Sequence, residues 1–410
     1  MNKLRFLTAG ESHGPALSII VEGMPSGLEL LTEDVNRHLA RRQAGYGRGA
    51  RMKIEKDQIS FLSGVRHGLT LGSPISMQIV NKDYVNWDLV MNPGEIDAEN
   101  EENKKKLAEK YLTRVRPGHA DFAGAIKYKH DDVRNVLERS SARETTSRVA
   151  AGGVALKFLE NLGIKVYSQV LQVGSVSLPL TGPESGWGQI SEQDFEKIEA
   201  SEMRCKDAKT TEEMKAEIDR ARKQGESLGG IVEVIVTGLP IGVGSHVHWD
   251  RRLDGIIAQA LMSVHTVKAV GFGMGFEAGV LPGSQVHDEI QLSGQSSIMS
   301  NYAHLTNRAG GIEGGMSNGE PIVCRVALKP IPTLARAEAD SLKSIDLKTK
   351  SNDVAFYERS DVCVVPAGGV VCEAMVALVL ADQILDKFGG DSMDELKRNY
   401  ENYLEYCLQR

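Results

Sequence analysis

The sequence predicts an α+β fold in which strands and helices follow one another in no regular order. Short alternating or β-branched segments are interspersed with amphipathic and apolar helical segments along the 410 residues. Neither a regular strand–helix–strand repeat nor a G-x-G-x-x-G motif is present, so a Rossmann fold is not expected. Glycine is frequent, with 42 residues, whereas aromatic residues make up only 5%. This composition favours close backbone packing and loops that lie against a ligand.

Three segments have the pattern of β-strands. Residues 52–61 alternate in part between apolar and polar side chains, and Ile75–Val80 is a short apolar run. Ile231–Thr237 is rich in β-branched residues and is bounded by glycine, which is typical of a strand.

The first two predicted helices lie in the first half of the chain. A helix begins at Thr32, which is expected to cap it, because acidic residues fill its first turn and arginines its last. A second helix covers Glu144–Asn161 and ends at Gly163. The pair Gly152-Gly153 lowers helix propensity by about 1 kcal/mol per residue, so we expect another element to pack closely against that face.

Two further helices are expected in the second half, and one exposed segment in the first. Asp250–His265 reads as a helix capped by Asp250, and Val370–Phe388 as a strongly apolar helix ended by two glycines. The segment Glu95–Lys110 is highly charged and is expected to be a solvated insertion or exposed helix without a chemical role.

Composition excludes several classes of protein. With 41% hydrophobic residues the chain can bury a core, and a net charge of −7 argues against nucleic acid as the main partner. The five cysteines form no C-x-x-C pair, as is typical of reduced thiols in the cytoplasm. No signal peptide and no apolar run long enough to cross a membrane is apparent, so we expect a cytoplasmic protein.

Two segments place a histidine in a glycine-rich turn. Gly10–Pro15 contains His13, and Arg116–Asp121 contains His119 between a cation and a carboxylate. Histidine titrates near neutral pH and can give or take a proton. Asp121 could orient the ring of His119 or stabilise its protonated form. The alternative for both segments is an ordinary turn with a hydrogen-bonded histidine.

Residues 41–51 hold four arginines interleaved with three glycines. A solvated basic surface would normally use lysine and good helix formers, whereas guanidinium groups on a glycine-rich loop offer paired donors to phosphate or carboxylate. We therefore favour an anion-binding lid over a plain surface charge run.

Hydroxyls and arginines also precede the helix predicted at residue 144. Residues 138–145 read ERSSARET, and the free N–H groups of a helix N-terminus attract anions. The alternative is that Ser140 or Ser141 only caps the helix.

The last polar cluster lies late in the chain. Gly310–Gly319 contains two glycine pairs, Lys329–Thr333 could hold a phosphate, and Arg359 could pair with Asp361. Ordinary turns and a surface ion pair are the alternative. Taken together, the motifs predict polyanionic ligands, two in number, and no metal site, nucleophile elbow or Walker loop is expected.

Five of these segments resemble the signatures of the chorismate synthase family, in that family's order. They are GESHG at 10–14, RPGHAD at 116–121, RSSARET at 139–145, GGIEGGMSNG at 310–319 and KPIPT at 329–333. The likeness runs from about residue 5 to residue 390, which implies a single domain at 1–390 followed by a C-terminal tail at 391–410. It also implies a layered β-α-β sandwich assembled as a homotetramer. The insertion at about 95–112 resembles one found in some bacterial members.

The resemblance implies a reaction and a cofactor. The family catalyses anti-1,4-elimination of phosphate from 5-enolpyruvylshikimate 3-phosphate, which gives chorismate in the last step of the shikimate pathway. Members require reduced FMN although the reaction has no net redox change. The flavin is thought to lend electron density and to take it back, while the protein binds and orients.

The resemblance also implies roles for individual residues. His13 resembles the histidine that protonates the departing phosphate, His119 the one that donates toward flavin N1, and Asp361 the carboxylate near flavin N5. Substrate or NADP contacts are implied for Arg42, Arg48, Arg51 and Arg139. FMN contacts are implied for Arg139, Ser140, Ser141, His265, Thr266, Gly314, Lys329, Pro330, Ile331, Pro332, Thr333 and Arg359. At 265–266 other members more often carry a small or amide pair, so contacts there are expected through the backbone.

Two other functions remain open on the residues alone. A small-molecule kinase would share the arginine-rich cleft but would need a nucleotide loop and carboxylates for Mg²⁺. A non-catalytic flavin or anion carrier would not need two histidines and Asp361. A separate flavin reductase is expected to supply reduced FMN, with NADPH as another possible reductant.

Overall fold

Antiparallel sheets lie on both faces of a layer of long helices. The computed structural model describes residues 3–48, 56–97, 99–179, 191–292, 300–358 and 360–410. Its strands are β1 (Arg5–Ala9), β2 (Ala16–Glu22), β3 (Ser60–Ser63), β4 (Val65–Arg66), β5 (Leu69–Thr70), β6 (Ile75–Val80), β7 (Lys165–Val173), β8 (Val176–Ser177), β9 (Gly230–Thr237), β10 (Val267–Phe272), β11 (Ile290–Leu292), β12 (Tyr302–His304), β13 (Ile312–Glu313), β14 (Met316–Ser317), β15 (Ile322–Leu328), β16 (Lys343–Asp346) and β17 (Ser351–Val354). Its helices are α1 (Thr32–Gln43), α2 (Glu101–Lys110), α3 (Asp121–Tyr128), α4 (Arg134–Ser140), α5 (Glu144–Glu160), α6 (Glu192–Ala200), α7 (Ala208–Lys223), α8 (Leu253–Met262), α9 (Val365–Phe388) and α10 (Met393–Gln409).

The first sheet has the strand order β1-β2-β6-β3, and each neighbouring pair is antiparallel. Leu17, Ile19 and Val21 of β2 are buried and alternate with more exposed residues. This period of two sends one face of the sheet to the core. The predicted strand Ile75–Val80 is confirmed as β6. Of the predicted strand 52–61, residues 60 and 61 belong to β3, and residues 52–55 lie outside the described part of the chain.

The second sheet has the order β10-β15-β9-β7-β8 and is also antiparallel. Its middle strand β9 confirms the prediction for Ile231–Thr237 and is buried from Val232 to Val236. Glu233 lies inside this run. It accepts hydrogen bonds from Gln169 on β7 and Arg325 on β15, which compensate the burial of its charge.

Helices α5 and α9 form the middle layer. Helix α5 packs against β1, β2 and α1, and α9 packs against α5, β7 and β9. The contact is close because a Cβ on Gly152 would lie 2.3 Å from Cβ of Ala374, and one on Gly153 would lie 3.1 Å from Cα of Val35. The expected close packing at the glycine pair is thus confirmed, and the order sheet–helices–sheet is the expected β-α-β sandwich.

Both predictions of helix caps are wrong. Thr32 is already helical, and the N-cap residue is Leu31, whose N–H donates to the Asp34 carboxylate at 2.8 Å. Helix α8 begins at Leu253 and ends at Met262, inside the predicted range Asp250–His265. Asp250 does not cap it because its carboxylate pairs with His248 at 2.7 Å in a preceding turn.

The last two helices close the fold. Helix α9 begins at Val365, earlier than predicted, with Pro366 in its first turn, and it ends as expected before Gly389. It is long and apolar enough to cross a membrane, but 83% of its most apolar window is buried within the protein, as in a core helix. Helix α10 packs against α9, and its Leu396 and Tyr400 belong to the same core.

Candidate functional site

His13 is buried beside a carboxylate at the end of β1. Its Nδ1 lies 2.9 and 3.0 Å from the two carboxylate oxygens of Glu138, and its backbone N–H donates to the same group at 2.9 Å. Arg134, one turn earlier on α4, also donates to Glu138 at 3.0 Å. Burial acts to raise the pKa of Glu138, but the hydrogen bonds and positive charges of His13 and Arg134 outweigh it, and the pKa is lowered.

His119 has the partner that the sequence predicts. Its Nδ1 lies 2.5 Å from the Asp121 carboxylate, which also accepts from Nε of Arg116 at 2.7 Å. Burial acts to raise the pKa of Asp121, but hydrogen bonds from His119 and Arg116 outweigh it and lower the pKa to about 2. Asp121 therefore contacts the His119 ring directly, which every interpretation of this motif expects.

Arg42 lies at the centre of a buried group of charges. Its Nε donates to the Thr145 hydroxyl at 3.0 Å and its Nη2 to the Ala142 carbonyl at 2.8 Å. Among the described residues its Nη1 has no hydrogen-bond partner, since the nearest carboxylate, that of Asp57, is 3.9 Å away. Burial and repulsion by neighbouring arginines lower the pKa of Arg42 to about 9.

Arg48 and Asp361 meet next to this group. Nη1 of Arg48 lies 2.9 Å from the Asp361 carboxylate. The N–H of Val362 donates to the carbonyl of Gly47 at 3.1 Å, so the two loops are joined by backbone as well. Arg48 and Asp361 both act on the pKa of Arg42. The fold therefore gathers Arg42, Arg48 and Asp361, whereas Arg51 and Arg359 lie outside the described residues.

The segment from 139 to 143 joins the histidine loop to α5. Arg139 donates to the carbonyls of Thr8 at 2.9 Å and Gly10 at 3.2 Å. The hydroxyl of Ser141 donates to that of Ser12 at 3.2 Å. Ser140 uses its hydroxyl inside α4, where it donates to the Val136 carbonyl at 2.7 Å.

Lys329 links the His119 turn to the end of α8. Its Nζ donates to the Gly118 carbonyl at 2.9 Å, and its backbone N–H donates to the Thr266 carbonyl at 2.9 Å. Burial lowers the pKa of Lys329, and repulsion by Lys268 adds to the effect. A cation with this environment is ready to accept an anionic partner.

The rest of the 329–333 segment is bonded to the chain before β9. Ser227 donates to the Ile331 carbonyl at 2.6 Å, while the next residue, Leu228, donates its N–H to the Val362 carbonyl at 2.9 Å. Pro330 and Pro332 stiffen the segment, and Thr333 is buried. Residues 227–228 therefore connect this segment to the residue after Asp361.

His265 and Thr266 follow α8. Nδ1 of His265 lies 3.8 Å from the Glu144 carboxylate, and burial lowers the pKa of His265 despite that carboxylate. Thr266 has a φ of 72°, which is unusual for a threonine, and its carbonyl is held by Lys329. Glu144 also accepts from the Thr8 hydroxyl at 3.0 Å, which connects His265 to β1 and Arg139.

Of the predicted site residues that the structure describes, Gly314 lies apart from this cluster. It forms the turn between β13 and β14 with Gly315, whose carbonyl accepts from the N–H of Leu253, the first residue of α8. His265 follows the other end of that helix, which is about 15 Å long. Gly310 and Gly311 serve packing, because a Cβ on either would lie within 2.5 Å of backbone atoms.

Several residues that build the site carry no sequence signal of their own. Glu138 and Glu144 stand at the two ends of the RSSAR motif, and only their contacts distinguish them from ordinary helix residues. Arg143 donates to Asp57 at 2.6 Å and to Asn81 at 2.7 Å. Asn81 in turn donates to the Gly14 carbonyl at 2.7 Å, which fixes the His13 loop.

Known proteins are similar to this chain over nearly its whole length. The family model for chorismate synthase matches residues 4–385. The chain belongs to the chorismate synthase family. Chorismate synthases of Geobacter sulfurreducens and Bacillus cytotoxicus are each 52% identical over 406 residues, covering 98–99% of this chain and 99–100% of theirs. A solved crystal structure of chorismate synthase superimposes with a TM-score of 0.78 at 42% identity and covers 99% of both chains.

Membership in the chorismate synthase family settles the class of enzyme. Chorismate synthases are carbon–oxygen lyases, and this chain is one of them, acting in the last step of the shikimate pathway by eliminating phosphate from 5-enolpyruvylshikimate 3-phosphate.

Proposed function

We propose that the cluster around His13, Arg42 and Asp361 is the site of this elimination and that it works with reduced FMN. The observation that carries the proposal is the buried guanidinium of Arg42, which keeps its Nη1 unpaired among the described residues and is repelled by its neighbours. A buried cation in that state is stabilised when an anion arrives. The phosphate and carboxylates of the substrate supply such charges.

The proposed substrate clamp consists of arginines from two segments of the chain, of which Arg42 belongs to α1 and Arg139 to α4. We assign Arg42, Arg48, Arg51 and Arg139 to the phosphate and carboxylate groups. Arg48 is already paired with Asp361 at 2.9 Å, so substrate binding would divide its charge between two partners. Paired N–H donors in a fixed plane suit this task better than lysine does.

The residues present fit a flavin phosphate. Lys329 and the half-exposed Arg139 offer cations, and the backbone at His265 and Thr266 is held in a fixed shape. We assign FMN contacts to Arg139, Ser140, Ser141, His265, Thr266, Lys329, Pro330, Ile331, Pro332 and Thr333, and keep Gly314 and Arg359 as predicted contacts. Reduced FMN would supply transient electron density, which the elimination needs and protein side chains do not provide.

We assign to these groups the acid and base roles that the family resemblance implies. His13 would give a proton to the departing phosphate. His119, held by Asp121, would donate a hydrogen bond to a bound flavin on its N1 side, and Asp361 would assist removal of the substrate proton. Each of these side chains has a charged partner that fixes its orientation.

The proposal extends to assembly, cellular location and the source of reduced flavin. We propose a cytoplasmic homotetramer whose FMN is reduced by a separate reductase, with NADPH as another possible reductant, and a catalytic domain at 1–390 with a tail at 391–410. The edge strand β1 exposes 71% of Leu7 beside an apolar groove of about 770 Å³ that also contacts α8 and α9. Such a groove suits contact between subunits.

Anaerobic phosphate release tests the proposal. The protein is incubated with 5-enolpyruvylshikimate 3-phosphate with and without chemically reduced FMN, and chorismate is followed by its absorbance. Phosphate and chorismate released together only with reduced flavin would support it. Transfer of the phosphoryl group to a nucleoside diphosphate without release of phosphate would favour a kinase, and flavin binding without any release would favour a carrier.

Two variants separate the roles. Arg48→Ala is expected to weaken substrate binding more than FMN binding in titrations, and equal loss of both would count against the clamp. His13→Ala is expected to lower turnover while FMN still binds, and turnover at the wild-type rate would reject its role.

A further inference from the structure

Trp87 covers His13. The centroids of the two rings are 4.0 Å apart and their planes are inclined by 23°, so the rings are stacked. The indole is itself held in place, because its Nε1 donates to the Asp83 carboxylate at 3.2 Å and its backbone N–H donates to the Tyr84 carbonyl at 2.8 Å. A side chain that is held at both its backbone N–H and its indole nitrogen can restrict the orientation of the ring stacked on it.

Two cations also approach the indole of Trp87. Nζ of Lys110 lies 4.5 Å from the ring centroid, and the guanidinium carbon of Arg134 lies 5.0 Å from it. Arg134 connects Glu138 to the end of α2, since it donates to Glu138 at 3.0 Å and to the Lys110 carbonyl at 2.8 Å. His13, Glu138, Arg134 and Trp87 therefore form a closed ring of contacts.

Glu138 determines which nitrogen of His13 carries a proton toward it. Because its pKa is lowered, the carboxylate is ionised at neutral pH and can only accept hydrogen bonds. Nδ1 of His13 lies within 3.0 Å of it and must therefore be the donor. The proton that His13 can give to another group is then the one on Nε2.

We propose that Glu138 and Trp87 are positioning residues for His13 in the elimination. Glu138 holds the Nδ1 proton, so that Nε2 is the nitrogen that donates to the departing phosphate, and Trp87 fixes the plane in which Nε2 lies. The inference rests on the proposed role of His13 as the proton donor. It also gives the end of α2 a function, because Lys110, the last residue of that exposed helix, stabilises Trp87.

The experiment is a double-mutant cycle with reduced FMN and saturating substrate. Trp87→Leu keeps an apolar cover without an aromatic ring, Trp87→Phe keeps a ring, and Glu138→Gln keeps the size of the side chain. Each is made alone and together with His13→Ala. Trp249→Leu is the matched control, because its indole is 77% exposed and is not part of this cluster.

We expect each substitution to lower kcat when His13 is present and to have almost no effect on kcat when His13 is alanine. Trp87→Leu and Glu138→Gln should each lower kcat by roughly 10-fold or more. The loss should not exceed the ~10²–10⁴-fold that a general acid contributes, and KM should stay within about threefold of the wild-type value. Neither should lower kcat further, beyond about twofold, once His13 is alanine, because residues that act through one group are not additive. Trp87→Phe should keep most of the wild-type kcat.

Two outcomes would overturn the inference in different ways. If Trp87→Leu lowers kcat by the same factor with and without His13, Trp87 acts on stability or on another step. If His13→Ala is inactive while Trp87→Leu and Glu138→Gln retain full kcat, His13 is the donor but needs no positioning. Wild-type turnover in His13→Ala itself would instead reject the proposed proton donor. Should Trp87→Leu not fold, the comparison of Trp87→Phe and Glu138→Gln in both backgrounds decides the question.

Discussion

Glu373, fully buried in the middle of α9, accepts two hydrogen bonds from Arg41 near the end of α1, at 2.7 and 3.0 Å. It also accepts from Arg204 at 2.9 Å and from the Ser168 hydroxyl at 2.6 Å. Burial acts to raise the pKa of Glu373, but the two arginines and the hydroxyl outweigh it and lower it. The carboxylate thus ties three elements together directly beside Arg42.

Removing this carboxylate should destabilise the protein. Glu373→Ala removes the buried one of the two carboxylates that Arg41 and Arg204 share, and we expect a loss of about 3–5 kcal/mol in the free energy of unfolding, measured in urea. Glu199→Ala is the control, because Glu199 binds the same arginines from a side chain that is 40% exposed and should cost no more than about 1 kcal/mol. Equal losses would show that the burial of Glu373 is not what matters.

Glycine substitutions in two helices should have opposite effects. Gly152→Ala in α5 places a methyl group 2.3 Å from Cβ of Ala374, and overpacking of this kind costs about 1–3 kcal/mol. Gly255→Ala in α8 meets nothing closer than 4.0 Å and should stabilise by about 0.5–1 kcal/mol through helix propensity. Thermal unfolding of both variants checks the pair, and a stabilised Gly152→Ala would contradict the tight α5–α9 contact.

Asp121 should contribute stability that depends on pH. Its pKa is lowered to about 2, below the ~3.9 of an unfolded chain, so its contribution is complete above about pH 4 and is lost as the pH falls toward 2. Asp121→Asn should therefore cost about 1–2 kcal/mol at pH 7 and almost nothing near pH 2. Urea unfolding of both proteins across this range is the measurement. A difference that does not shrink in acid would mean that the ion pair is not its source.

Arg42 should matter more for binding than for stability. Arg42→Ala removes a cation that Arg48 and Arg143 repel, so the unfolding free energy of the ligand-free protein should change by less than about 1 kcal/mol, while substrate binding weakens by about 10–100-fold. Arg143→Ala is the contrast, since it breaks the bonds to Asp57 and Asn81 and should destabilise by about 2–4 kcal/mol. Similar destabilisation in both variants would show that Arg42, like Arg143, mainly supports the fold.

Contacts between residues that are close in sequence could be predicted, whereas contacts between residues that are far apart in sequence could not. Asp121 stands two residues from His119, so their pairing is visible in the motif. Glu138 reaches His13 across 125 residues, and Arg41 reaches Glu373 across 332, and no local pattern marks either pair. Arg48 and Asp361 are another ion pair between residues far apart in the chain. The pairing of Asp361 with Arg359 that the motif suggests involves a residue outside the described part of the chain and stays a prediction.

The failed cap predictions have a similar cause. Asp250 has the chemistry of a cap, but its carboxylate pairs with His248 instead of a helix N–H. At the start of α1 the side-chain bond comes from Asp34, which accepts from the N–H of Leu31. Composition located β9 and α9 well, because a β-branched run and a long apolar run are typical of elements that are buried on all sides. Single polar side chains follow their nearest partner, which only the folded structure reveals.

The position of α9 bears on how the protein is made. This helix supplies half of the α5–α9 contact and the cover of β7 and β9, yet it occupies Val365–Phe388, close to the end of the chain. At ~5–20 residues per second, the ribosome needs roughly 20–70 s to reach it. Throughout that time the faces of β7 and β9 that α9 covers have no helical cover, although α5 can already pack against β1 and β2. The finished core can therefore form only after α9 has been synthesised, and until then this apolar surface is open to contact with other chains.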